Sequence, residues 1–195
     1  MIIEDLTTYT EVDSSGKIAV SSTRVTANSI TNNVDSYVYK DFGASYFDKI
    51  DLLFDYQCAA HSGYAVMGFT NELDESMHWV GPYIAVSLQS GLSIYNGGTS
   101  HDSSLDLSHN ITYYCRLLRQ AGDDVVRLYI YSDAGRTTLV DTVTLAGFGT
   151  TKWRYFFPMT SENYSSPYSW SGYLENFVLP ARNRARGAQL IGPIW

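Results

Sequence analysis

Four histidines, His61, His78, His101 and His109, are the side chains of this sequence best suited to general-base or metal chemistry. Their spacing gives them no partners, because there is no H-x-H or H-E-x-x-H pair and no cysteine stands at metal-ligand spacing. All four fall near predicted loops or strand ends and read as surface residues. Serine is abundant, but the G-x-S-x-G elbow that presents a nucleophile does not occur. Cys58 and Cys115 lie in or beside apolar, strand-like runs, so two buried free thiols are expected rather than a disulfide.

Flat rings in polar loops are the stronger signal. Tyr164, Tyr168 and Trp170 crowd into S-E-N-Y-S-S-P-Y-S-W-S, and Trp79 follows His78 in another loop. Rings beside short hydroxyls and amides serve sugar recognition and protein interfaces alike. One reading stacks sugars on Trp79, Tyr164, Tyr168 and Trp170. The other has Pro167, Tyr168 and Trp170 closing one end of the core, and the sequence leaves both open.

The elements that must position these groups are strands. Residues 112–145 read as a β-meander of three strands and two tight turns, at Gly122-Asp123-Asp124 and at Ser132-Asp133-Ala134-Gly135. Val126, Leu128 and Ile130 alternate with Val125, Arg127, Tyr129 and Tyr131, as in a half-buried strand. In the third run Asp141 shares parity with Leu139, Val143 and Leu145, which calls for a bulge or an edge position. Further strands are expected within 6–28, and at 36–42, 49–56, 64–70, 83–88, 92–95, 153–159 and 172–179. Residues 97–110 read as a polar loop, with room for one short helical turn. Alternation places Leu52, Phe54, Leu128, Ile130, Tyr155 and Phe157 in the core, with Trp153, Tyr155, Phe157 and Met159 on one inward parity.

Composition agrees with an all-β chain: 195 residues are enough for one real core, and 16 are tyrosines. A net charge of -7 argues against a nucleic-acid surface on the body of the domain. No stretch approaches a membrane span, and the N-terminus has neither a basic region nor a long apolar run, so no export signal is expected. About twelve short strands without an amphipathic helix predict a two-sheet antiparallel β-sandwich, or jelly roll, over 1–179, with a short C-terminal extension over 180–195.

Several segments carry a resemblance: Y-V-Y-K-D-F-G, F-D-K-I-D-L-L-F-D-Y, the meander from Y-Y-C-R-L-L-R to V-D-T-V-T-L, and the closing S-G-Y-L-E-N-F-V-L. Over roughly residues 6–179 the chain resembles a concanavalin A-like (laminin-G-like) jelly roll, of the kind found in bacteriophage structural proteins. The resemblance raises hydrolysis, since laminarinase-type glucanases on this fold carry E-x-D-x-x-E in one strand. Glu72-Leu73-Asp74-Glu75-Ser76-Met77 begins that way, but Met77 stands where the second glutamate is needed. Retaining chemistry needs two carboxyl groups about 5 to 5.5 Å apart, so the segment reads as an acidic turn and the chain as a non-enzyme. The resemblance also implies a structural calcium, with oxygen ligands from Asp102, Asp106 and Asn110 or from Asn71, Asp74 and Glu75. Those residue types also fill loops merely by making turns, and no cofactor is assigned.

The reading is a non-enzymatic module of a bacteriophage particle, a decoration, tail or fibre component located in the virion, with glycan binding through the loop aromatics as an added role. Its partners would be other virion proteins or copies of itself, and cell-surface or environmental glycans. The alternatives are a free lectin-like protein and a polysaccharide-degrading hydrolase or lyase. Residues 180–195 carry Arg182, Arg184 and Arg186 with no acidic residue, which puts +3 on the tail and -10 on the remainder. Leu190, Ile191, Ile194 and Trp195 follow, too broken by Gly and Pro for a stable helix. This segment reads as an arm that seats arginines on an acidic surface and Trp195 in an apolar pocket of a neighbour; the other reading folds it back on its own domain or leaves it disordered. Deleting residues 181–195 is expected to leave a folded, soluble sandwich that no longer assembles or joins its particle. Incorporation as efficient as that of the full chain, or failure to fold, would contradict the arm.

Overall fold

The computed structural model describes residues 2–31, 35–73, 82–97, 101–161 and 168–179. Among them the strands are β1 (Thr10–Asp13), β2 (Ile18–Val20), β3 (Arg24–Thr31), β4 (Ser36–Asp41), β5 (Ile50–His61), β6 (Ala65–Thr70) and β7 (Tyr83–Leu88), followed by β8 (Leu92–Asn96), β9 (His101–Ser103), β10 (Tyr113–Arg119), β11 (Val126–Tyr131), β12 (Leu139–Leu145), β13 (Tyr155–Thr160) and β14 (Ser169–Val178). No α-helix occurs among the described residues; a 3-10 turn at Leu6–Thr8 is capped by Asp5, whose carboxylate accepts the Thr7 N–H at 3.1 Å.

The strands pair into two antiparallel seven-stranded sheets. Sheet A runs β1-β4-β13-β6-β7-β8-β9, and sheet B runs β12-β11-β10-β5-β14-β3-β2. This is the expected two-sheet sandwich, held by the inward halves of both sheets. Sheet B contributes Leu52, Phe54, Tyr56, Cys115, Leu117, Leu128 and Ile130, and sheet A contributes Met67, Phe69, Ile84, Val86, Phe156 and Met159. Phe156 of β13 meets Phe177 of β14 edge-on across the gap, 5.6 Å between ring centroids. Cys58 and Cys115 are both free and buried on the inner side of sheet B.

The meander forms as β10, β11 and β12, and β12 is both an edge strand and shifted in register between Ile130 and Tyr131. In its second turn Asp133 accepts the Thr138 N–H at 2.6 Å, and the left-handed residue is Arg136 at φ 54. Within 97–110 the structure has the short strand β9 rather than a helical turn.

Strand β13 departs from the expected parity. Phe156 and Met159 enter the core, while Tyr155 and Phe157 point to the opposite face and join a separate cluster. Register shifts at Phe156/Met159 against β4 and at Phe157/Thr160 against β6 mark the irregularity. Pro158 sits within it and has no N–H to give a ladder, which suits it to such a break.

One glycine is required by close approach. A Cβ on Gly172 would lie 2.2 Å from the Gln57 carbonyl oxygen of β5 and 2.7 Å from the Trp170 indole, which folds over it. Gly172→Ala should therefore cost about 1–3 kcal/mol through overpacking, and Phe54→Ala about 3–5 kcal/mol through the lost core contacts. Denaturant unfolding checks both; losses under about 0.5 kcal/mol at each would contradict this packing.

Candidate functional site

The outward halves of the two sheets differ in kind. On sheet B, outward positions mix ion pairs, Arg24 with Glu175 at 2.7 Å, Arg116 with Asp51 at 2.8 Å, and Arg136 with Asp55 at 2.9 Å, with the half-buried rings of Tyr114, Tyr129, Tyr131 and Tyr173. Asn176 gives a further hydrogen bond to Asp55 at 2.8 Å. Burial pushes the Asp55 carboxyl above its ordinary value, against the opposing pull of Asn176 and Arg136. That face is a solvated, ion-paired surface.

On sheet A the outward positions form three cross-strand rows. Strand pairing aligns Phe157, Gly68, Ala85, Tyr95 and His101 in the middle row, and Tyr39 of β4 stacks on Phe157 at its end, 5.6 Å between centroids and 25° between planes. Tyr95 and His101 stack at the other end, 5.2 Å apart and at 19°. On one side lie Tyr37, Thr160, Val66, Ser87, Ser93 and Ser103. On the other lie Asp41, Tyr155, Thr70 and Tyr83. Val66, Tyr83, Ala85, Tyr155 and Phe157 are buried, and half-buried Tyr37, Tyr39, Tyr64 and Tyr95 pack against them. The outer face is thus a second buried cluster, with half-exposed tyrosines at its rim.

Its polar groups are sparse. Asp41 is the one carboxylate at a described strand position of these rows, and Arg154 binds both its oxygens at 2.8 and 2.6 Å. The guanidinium and the Gly43 N–H hold the Asp41 carboxyl down at about 2, and the same Arg154 lies 4.8 Å over the Tyr155 ring. Ser93 and Ser103 share a hydrogen bond of 2.7 Å. Ser87, fully buried next to the end of β7, has a hydroxyl without a hydrogen-bond partner.

The residues singled out in the sequence are not gathered here. Trp170 is fully buried in the core, so it closes the sandwich and offers no face to a sugar. Tyr168 is 44% exposed and lies against Gly63, ahead of β14. Trp79, Tyr164, His78 and the arm residues Arg182, Arg184, Arg186, Leu190, Ile191, Ile194 and Trp195 lie outside the described residues. So do Asp74, Glu75 and Met77; Glu72 is exposed just beyond β6. His61 and His109 meet edge-on, 5.2 Å between centroids.

The described part of the calcium ligand sets is tied by hydrogen bonds within the chain. Asp102 accepts the Thr144 N–H at 2.9 Å, Asp106 accepts the Ser90 hydroxyl at 3.1 Å, and the backbone N–H of Asn110 donates to the Cys58 carbonyl at 2.8 Å. Asn71 is turned to the Lys152 carbonyl. Among the described residues no three of His, Cys, Asp and Glu converge. Asp102 instead ties β9 to β12, and Asp141 of β12 accepts the Leu105 N–H at 2.8 Å, closing one side of the sandwich.

Sequence reasoning missed the outer face of sheet A, although a signal was present. A-V-M-G-F-T, Y-I-A-V-S-L and Y-F-F-P-M-T carry no charge at either parity, and every residue of these three strands is buried. Alternation alone assigns one side of such a strand to the core and leaves the other unexplained.

No protein-family model and no curated protein sequence matches the chain. Among solved structures it is similar to the calcium-bound exoplasmic/lumenal domain of VIP36, at 8% identity and TM-score 0.59 over 92% of this chain and 91% of that one. The Ca2+/Man2-bound form of the same domain matches at 7% identity and TM-score 0.57, covering 93% and 89%. Basic winged bean lectin with Tn-antigen matches at 9% identity and TM-score 0.54, covering 91% and 95%. The fold is therefore the lectin-type, concanavalin A-like jelly roll.

Proposed function

We propose that this protein is a non-enzymatic glycan-binding module whose candidate binding surface is the half-exposed rim of sheet A's outer face, at Tyr37, Tyr39 and Tyr95. The observation that carries this reading is the contrast between the two outer faces. One interleaves ion pairs with tyrosines and stays half-exposed at strand positions such as Arg116, Tyr129 and Tyr173. The other is a second buried cluster rimmed by the half-exposed rings of Tyr37, Tyr39 and Tyr95, and among the described residues its strand rows carry one ion pair, Asp41 with Arg154. Rings and hydroxyls together are the material of sugar recognition, the rings covering C–H faces and the hydroxyls exchanging hydrogen bonds. Saccharide-bound lectins among the similar structures support the same reading. Arg154 engages the one carboxylate of the rows, so we assign them no acid–base pair and no hydrolysis.

We further read the module as a virion component that binds other particle proteins or copies of itself. That reading is supported by the bacteriophage-like texture of the sequence and by the segregation of Arg182, Arg184 and Arg186 from an acidic domain. A free lectin-like protein is the alternative, and detection of this chain in purified particles separates the two.

A glycan array probed with the full chain and with a Tyr39→Ala/Tyr95→Ala double variant tests the binding surface. At least one glycan class should be retained, and the double variant, compared at a temperature where both proteins are folded, should bind about tenfold more weakly or worse. Incubation with the retained glycan should release no new reducing ends. Retention of no glycan, or equal binding by the variant, would contradict the assignment.

A further inference from the structure

We infer that the side of the sandwich where β9 and β12 meet seats residues 180–195 of a second copy of this chain, the arm's apolar residues on Leu105, Leu139 and Val140 and its arginines on Asp102, Asp106 and Asp141. The inference rests on reading that segment as an arm, and it names the surface that receives it.

Exposed apolar surface is the first argument. Leu105, Leu139 and Val140 are 69%, 54% and 39% exposed. They lie together, because Leu139 and Val140 open β12 and the Leu105 N–H donates to the Asp141 carboxylate at 2.8 Å. Strand β12 is an edge of sheet B, and its register shift leaves Val140 between the Leu139 and Asp141 pairings with no position opposite it on β11. Apolar side chains grouped in this way mark an interaction surface. A partner does not join it as a further strand, since the Thr142 and Thr144 N–H groups are taken by Asp141 at 2.8 Å and by Asp102 at 2.9 Å. Side chains must hold it.

Charge selects the occupant. Asp102 accepts from the N–H groups of Thr144 and Ser103, Asp141 from those of Leu105 and Thr142, and Asp106 from the Ser90 hydroxyl. Every one of these donors is neutral, and no cationic side chain among the described residues pairs with any of the three. A carboxylate oxygen has a second lone pair to offer, and a guanidinium is the donor that uses it best. Residues 180–195, outside the described residues, supply the complement in sequence: Arg182, Arg184 and Arg186 without an acidic residue, then Leu190, Ile191, Ile194 and Trp195.

Reach decides which copy supplies the arm. Strand pairing sets Val178 of β14, Leu53, Arg116, Tyr129 and Thr142 of β12 in one row across sheet B, so four inter-strand spacings put its ends roughly 19 Å apart. Leu179 is packed in the core cluster beside the β14 end of that row. Arg182 stands three residues beyond it, about 11 Å of fully extended backbone. That falls short of Asp141 even with the side chain outstretched, so an arm of the same chain cannot seat all three arginines there. A neighbouring copy has no such limit.

Sedimentation velocity of the full chain, of an arm variant (Arg182→Glu/Arg184→Glu/Arg186→Glu) and of a patch variant (Asp102→Asn/Asp106→Asn/Asp141→Asn) tests this. Asparagine keeps an acceptor oxygen for each existing hydrogen bond and removes only the charge. The full chain should self-associate, more weakly as salt rises, and each variant should associate about tenfold more weakly or worse. An equimolar mixture of the two variants should associate again, because the arms of one meet the intact patch of the other. Leu105→Ser/Leu139→Ser, at exposed positions, supplies a second patch variant with the same expected loss.

A full chain that is monomeric at every concentration, variants that associate as the full chain does, or a mixture that stays dissociated would overturn this inference. If incorporation into particles still depended on residues 181–195 in those cases, the arm would stand with a different particle protein as its acceptor. Incorporation indifferent to that deletion would remove both readings.

Discussion

Each strand of a sandwich must turn alternate side chains into the common core, and that constraint governs the rest of this molecule. With the inward half of β5, β10, β11 and β14 committed to Phe54, Cys115, Leu128, Trp170 and their neighbours, function is left to the outward half. Sheet B meets this with ion pairs. Sheet A does not: its outward half forms a second apolar cluster built on Phe157, Tyr155 and Tyr83. The irregularity at β13 is what makes both possible, since it sends Phe156 and Met159 inward and Tyr155 and Phe157 outward from six consecutive strand residues.

The fold was largely legible in the sequence because period-two patterning is strong where one face is wet. Strand β11 alternates cleanly, Val126, Leu128 and Ile130 against Arg127, Tyr129 and Tyr131, and the structure buries the first set and half-exposes the second. The double parity of β13 was not legible, because all its residues are bulky or apolar and the position of a bulge leaves no hydrophobic signature. The strand β9 was hidden for the opposite reason: His101, Asp102 and Ser103 have turn-like composition, and pairing with β8 decides their state.

The candidate site was less legible than the fold. Loop aromatics drew attention because rings in polar surroundings stand out, yet Trp170 proves to be core, folded over Gly172. Tyr37 and Tyr39, Tyr95 and Ser87 come from three separated stretches of ordinary strand sequence, and only the crossover order of sheet A sets them side by side. Ser87 in particular looks like any strand serine until its burial and lack of a partner are seen together. For the calcium ligands the sequence named the right residue types, but Asp102 is engaged by a backbone N–H of β12, a long-range contact that no local pattern encodes.

The central claim is that ligand meets the outward face of sheet A and not the loop end where Tyr168 lies. Backbone amide chemical shifts recorded during titration with the tightest-binding saccharide address it directly, because they report contact residue by residue without altering the chain. The account predicts saturable shifts concentrated on β4 and β8, around Tyr37, Tyr39 and Tyr95. Shifts confined to the region of Gly63 and Tyr168, or to the ion-paired face of sheet B, would contradict it.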